Sequence, residues 1–163
     1  MHEYQSNAVV LDAEPVGEAD MRFSLYTERF GRIIARGKSS RKITGKLAPH
    51  LQVGDVAAVR IVEKNGLRLA DALKERRVRH LPSNLVMLNR LLHDAERDNA
   101  LWNMLLQEAY DWRVALRVLG WDPTHASCAK CGGHATFFFV QKQEFACRAH
   151  ASQLPPDAVL SVA

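Results

Sequence analysis

The sequence is poor in the features that would place it in a membrane, outside the cell or among the enzymes. Its 163 residues hold three cysteines. They cannot all pair within one chain, so a disulfide framework is not expected, and a reducing, cytoplasmic setting is. No run of roughly 18 apolar residues occurs, which excludes a transmembrane helix. The opening stretch MHEYQSNAVVLDAE lacks a basic segment ahead of an apolar one, so a secretory signal is not expected. Nucleophile-elbow, phosphate-loop, dinucleotide-binding and zinc-protease motifs are all missing. The acids Glu18 and Asp20 read as a polar turn with an internal salt bridge rather than a Mg²⁺ site. Nothing points to catalysis, and the chain is expected not to be an enzyme.

What is present is globular and unevenly charged. Apolar residues make up 47% and charged residues 25%, which excludes disorder of the whole chain. The formal net charge is +4. It divides into +5 for residues 1–79 and −1 for residues 80–163. Residues 29–54 carry Arg29, Arg32, Arg36, Lys38, Arg41, Lys42 and Lys46 with no acid among them. A field of one sign attracts polyanions, and nucleic acid is the commonest.

Residues 1–80 read as β-structure. Apolar or alternating runs occur at 7–14, 21–28, 31–37, 55–63 and 67–72, with turn signals between them. Asn65-Gly66 between two such runs is a strong hairpin signal, because both positions tolerate positive φ. Five short strands suit a small closed barrel such as the oligonucleotide-binding (OB) fold, with an SH3-like barrel fitting the count almost as well.

Residues 82–119 read as helix, with leucines at 85, 88 and 92 forming one stripe and a break expected within 93–99, where Asp98 is the candidate N-cap. Gly120 is a plausible C-terminal cap and Pro123 prevents continuation. The tail after His150 reads as a last short helix or a loose end. The expected organisation is α+β: an OB-fold nucleic-acid-binding domain over 1–80, then a helical region over 81–163 carrying a zinc-ribbon-like element at about 121–150.

Cys128-x-x-Cys131 followed by Gly132-Gly133, and Cys147-x-x-His150 with fifteen residues between Cys131 and Cys147, have the spacing of two metal knuckles. The segments 136–140 and 143–146 supply the short strands a zinc ribbon needs. His125 and His134 compete for the fourth position, but His150 completes a second knuckle and is preferred. Four protein ligands leave no open position, so the expected Zn²⁺ is structural.

For nucleic acid, Arg36, Lys38, Arg41, Lys42 and Lys46 are close enough in sequence to form one patch. Phosphate contacts of this kind give affinity without sequence information. Phe23 and Phe30 read as core, and Tyr26 as the better candidate for stacking on a base.

Taken in order, these pieces resemble the RecO family of DNA repair proteins. The resemblance rests on Ala8-Val9-Val10-Leu11, the turn Gly17-Glu18-Ala19-Asp20, the segment Leu25-Tyr26-Thr27-Glu28-Arg29-Phe30-Gly31, and the basic run from Ala35-Arg36-Gly37-Lys38 to Leu47. It continues at Leu116 to Leu119, Gly120-Trp121 and Pro123, ahead of Cys128-x-x-Cys131-Gly132. It implies an N-terminal OB barrel, a helical domain and a zinc element. It also implies binding of single- and double-stranded DNA, strand annealing, and loading of RecA on strands coated by single-strand-binding protein (SSB), usually with RecR. By position, Arg36, Lys38, Arg41 and Lys42 would contact DNA, and Cys128, Cys131, Cys147 and His150 would hold zinc. The chain is shorter than most members, chiefly in the helical region that receives the SSB tail. His150 stands where zinc-bearing members usually have cysteine. The expected location is the cytoplasm, at the nucleoid. The sequence also admits two other readings: an RNA-binding or ribosome-associated OB protein, and an adaptor using its leucine stripe.

Overall fold

The computed structural model describes residues 1–38, 51–93 and 96–163. The chain divides into two compact units, Met1–Ala109 and Tyr110–Ala163.

The first unit is built on five strands: β1 (His2–Val16), β2 (Asp20–Thr27), β3 (Gly31–Gly37), β4 (Asp55–Glu63) and β5 (Leu67–Arg77). They close into a barrel in the order β1-β2-β3-β5-β4, with β1 returning to β4. All pairings are antiparallel except β3 with β5, which meet in parallel at Arg36 and Arg68. This is the OB-fold arrangement, and the parallel closure separates it from the SH3-like alternative. β5 runs five residues past its expected end. Asn65 and Gly66 adopt φ of 53° and 103°, as the hairpin signal requires.

β1 explains why one barrel needs a 15-residue strand. Its first half pairs with β4 and its second with β2, and the register shifts between Val10 and Asp12. A bulge there bends the strand around the barrel corner. Ala8, Val9, Val10 and Leu11 are all fully buried. Ala8 and Val10 join Phe23, Leu25, Val59 and Ile61 in the barrel core. A strand buried on both faces reads as a continuous apolar run, as this one does.

The turn from β2 to β3 is closed by Thr27, which is fully buried. Its hydroxyl donates to the Gly31 carbonyl at 2.8 Å and accepts from the Phe30 amide at 3.0 Å. Gly31 has φ +70°, and a Cβ there would lie 2.7 Å from the Glu96 carbonyl oxygen. Only glycine lets the later chain cross so closely.

α1 (Pro82–Leu91) packs on β1, and α2 (Asn99–Leu106) follows. Leu85 and Leu88 of the expected stripe are buried in the core, but Leu92 is the half-buried C-cap and Leu91 takes its place. The Asp98 carboxylate accepts from the Leu101 amide at 2.9 Å, the expected cap. The compact unit therefore extends to Ala109, past the end of the barrel near residue 80.

The second unit begins with α3 (Trp112–Val118). The long helix expected up to residue 119 is in fact two. Asp111 accepts from the Arg113 amide at 2.8 Å and starts a new helix in place of continuing the old one. α3 ends with Gly120 N–H bonded to the Arg117 carbonyl and Trp121 N–H to that of Leu116, a Schellman pair. A three-stranded antiparallel sheet follows in the order β7-β6-β8, from β6 (Phe137–Phe139), β7 (Glu144–Ala146) and β8 (Val159–Ser161). Between β7 and β8 lie α4 (Arg148–Ala151) and a 3-10 turn, Pro156–Ala158. The tail read as a helix or loose end is the third strand, with Leu160 opposite Phe138. The fully buried Phe138 ring lies 5.0 Å from Phe145 and 5.3 Å from Trp121, centre to centre.

Candidate nucleic-acid interface and metal centre

The barrel's basic residues fall into two sets. Some are tied into the scaffold. Arg29 Nη1 donates to the Gln5 carbonyl at 3.0 Å, and Arg32 Nε to Asn89 at 2.8 Å. Others form a row on one face. Arg22 is the register partner of Arg36, and Arg36 of Arg68. Register partners project to the same side of a sheet, so the three arginines stand side by side across β2, β3 and β5.

Like charges placed opposite one another are unfavourable unless acids intervene. Two acids do. Glu14, the partner of Arg22 on β1, forms an ion pair with it. Asp20, the first residue of β2, accepts from Arg36 Nε at 2.8 Å. Arg36, Lys38, Arg68 and Asp20 together line a cavity of about 190 Å³. Lys38 and Arg68 are exposed and have neither ion pair nor hydrogen bond among the described residues. The cavity lies beside the β1–β2 turn and the start of β5 after the β4–β5 hairpin, the two connections that flank the oligonucleotide face of OB folds.

Of the expected DNA contacts, Arg36 and Lys38 are thus brought together. Arg41, Lys42 and Lys46 lie outside the described residues. Tyr26 is a correction: its ring is 1% exposed and cannot stack on a base. The hydroxyl accepts from the Asp98 amide at 3.0 Å and donates to the Asp98 carbonyl at 3.3 Å. Burial foremost raises its pKa above 10.0. Tyr26 therefore anchors the start of α2. Phe23 is core as expected, and Phe30 packs edge-to-face on Tyr4 at 5.5 Å. Arg68 was missed because it lies outside the acid-free window. Alternation between Leu67 and Leu69 puts it outward, but only the strand order brings it to Arg36.

In the second unit, Cys128, Cys131, Cys147 and His150 bring four ligand atoms within 4.8 Å of one another. His150 Nδ1 is 3.3 Å from Cys128 Sγ and 3.4 Å from Cys147 Sγ, and the Cys131 and Cys147 sulfurs are 3.9 Å apart. Metal–sulfur bonds of about 2.3 Å in a tetrahedron require sulfurs about 3.8 Å apart and slightly shorter sulfur–nitrogen edges. The donor set and spacing fit such an ion. His125 and His134 are not in this group.

Each knuckle has a local cause. In the first, Gly132 N–H donates to the Cys128 carbonyl and Cys128 N–H to the Gly133 carbonyl, at 2.8 and 2.7 Å. In the second, Cys147 caps α4, which carries His150 one turn on. Backbone hydrogen bonding at Cys147, then at Cys131 and Lys130, brings the Cys128 thiol down to about 5, with the His150 ring assisting. For Cys131 the Gly133 backbone lowers the pKa, but the neighbouring sulfurs and desolvation outweigh it and the value is raised. The lowered Cys128 supplies the thiolate form that binds a metal.

Residues 1–75 match the family model for Recombination protein O N terminal. The matched stretch contains β1 to β4 and most of β5, including the whole arginine row.

Proposed function

We propose, from the match of residues 1–75 to the Recombination protein O N-terminal model, that this chain is a RecO-family protein that binds DNA and anneals complementary strands as a non-enzymatic mediator of recombinational repair. The single observation that carries the reading is the cross-strand row Arg22, Arg36 and Arg68 on the OB barrel matched by that family. A cationic row holds two phosphate backbones near each other and lowers their mutual repulsion while bases pair. DNA is single- or double-stranded in this reading, and RecR, SSB and RecA are the protein partners. The place of action is the cytoplasm, at the nucleoid. The Cys128, Cys131, Cys147 and His150 group holds Zn²⁺, which braces the second unit. That unit is only 54 residues long, a size at which metals commonly supplement a small core.

The test is annealing of two labelled complementary strands over a salt series. If about five phosphates are neutralised, log K falls with log salt at a slope near −3.5. Changing Arg36, Lys38, Arg41 and Lys42 together to Ala is expected to abolish annealing and remove about 2.8 from that slope. Unchanged annealing and slope would remove these residues from the function.

A further inference from the structure

We infer that Arg36, Lys38 and Arg68 form one discrete phosphate-binding subsite, and that Asp20 is its positioning residue. The inference deepens the DNA-binding reading and rests on it for the identity of the anion, a backbone phosphodiester. It goes further in two ways: it adds Arg68, and it gives an acid inside a cationic cavity a constructive part.

The argument starts from the guanidinium of Arg36. Its Nε edge is engaged by Asp20 at 2.8 Å. The Nη groups have no partner among the described residues, and the side chain is 57% exposed. An arginine held at Nε presents its other donors in a fixed direction, so less freedom is lost when an oxyanion binds. Asp20 is itself only 17% exposed, which makes it a firm anchor. Arg68 arrives from β5 as the register partner of Arg36, and Lys38 follows one residue beyond β3. Three cations, one on β3, one just past its end and one on β5, thus converge on a cavity of about 190 Å³, with one acid among them. Two of those cations lack any partner among the described residues. A phosphate offers several acceptor oxygens, so a single group can take donors from all three.

Charge counting and positioning predict opposite results at residue 20. If Asp20 merely cancelled positive charge, removing it would tighten DNA binding. If it orients Arg36, removing it weakens binding although the protein becomes more positive. The experiment measures a short single strand binding to the full-length protein across a salt series, with melting temperatures as a control for folding. Asp20→Ala is expected to weaken binding about tenfold with the salt slope unchanged. Asp20→Asn keeps an acceptor for Nε and is expected to retain most of the affinity. Arg68→Ala is expected to reduce the slope by about 0.7. Equal or tighter binding by Asp20→Ala, or an unchanged slope for Arg68→Ala, overturns the inference. Should Asp20→Ala prove poorly folded, chemical shifts of the Arg36 Nε–H in the wild type on adding pyrophosphate decide instead. A shift supports the subsite, and no shift at Arg36 overturns it. If the wild type binds no DNA but its Arg36 Nε–H responds to pyrophosphate, the DNA-binding reading fails and the anion subsite stands.

Discussion

Arg36 on β3 and Arg68 on β5 are register partners across the parallel contact that closes the barrel. The closure of the fold and the assembly of its cationic surface are therefore one event. Residues 32 positions apart in sequence become neighbours only when the last strand docks. A basic segment in an open chain would attract polyanions diffusely, whereas this pairing gives the charge a fixed geometry.

The crossing at Gly31 gives the most local prediction. Gly31→Ala adds a Cβ 2.7 Å from a backbone oxygen at φ +70°. The expected loss is roughly 2–3 kcal/mol, from strain plus displacement of the Glu96 backbone. Gly17 has nearly the same φ, +64°, but open space around it. Gly17→Ala should cost only about 1 kcal/mol. Urea unfolding of both variants checks the contrast, and equal losses would show that crowding is unimportant.

Tyr26 predicts an alkaline limit. Its pKa is raised in the folded state, so the neutral phenol is the form that folding favours. The stabilisation is complete below the ordinary value of 10.0 and is lost as pH rises through the folded value. Tyr26→Phe should flatten this part of the stability profile above pH 10. It should also cost about 1 kcal/mol at neutral pH through the lost bonds to Asp98. Unfolding midpoints measured from pH 7 to pH 11 test both statements.

Asp55 is fully buried, accepts from the Gln52 amide at 2.8 Å and pairs with Lys74 at 3.0 Å. Removing the cation strands the carboxylate. Lys74→Met is expected to destabilise by about 1–3 kcal/mol. The double change with Asp55→Asn should recover part of that loss. A double-mutant cycle by denaturant unfolding reads the coupling, and additive losses would mean the two groups act independently.

The metal reading predicts one zinc ion per chain by elemental analysis. Cys128→Ala should lose it, while His150→Cys should keep it, since a tetrahedral site accepts either ligand type. Chelation should abolish the near-ultraviolet circular dichroism from Trp121 and Phe138, whose rings pack 5.3 Å apart. Full retention of metal by Cys128→Ala would exclude the site.

The five strands and the knuckle cysteines were legible because local chemistry dictates them. Alternation, the Asn65-Gly66 turn and the C-x-x-C spacing each act within a few residues. The split between α2 and α3 was harder to read, because Asp111 captures an amide in a segment that otherwise has helical periodicity. β8 was illegible for a different reason. Its three residues have no pattern of their own and become a strand only by pairing with β6. Tyr26 was misassigned since an aromatic near basic residues looks like a stacking platform, and only tertiary contact with Asp98 reveals an anchor. Arg68 likewise needed strand order.

The bent β1 carries a kinetic consequence. Its second half meets β2 across a three-residue turn, a contact that zips quickly. Its first half must wait for β4, which enters about forty residues later, so that junction bears a far larger loop-closure entropy. Refolding should therefore pass its barrier when the N-terminal half of this strand docks, and truncation there should slow folding more than it hastens unfolding.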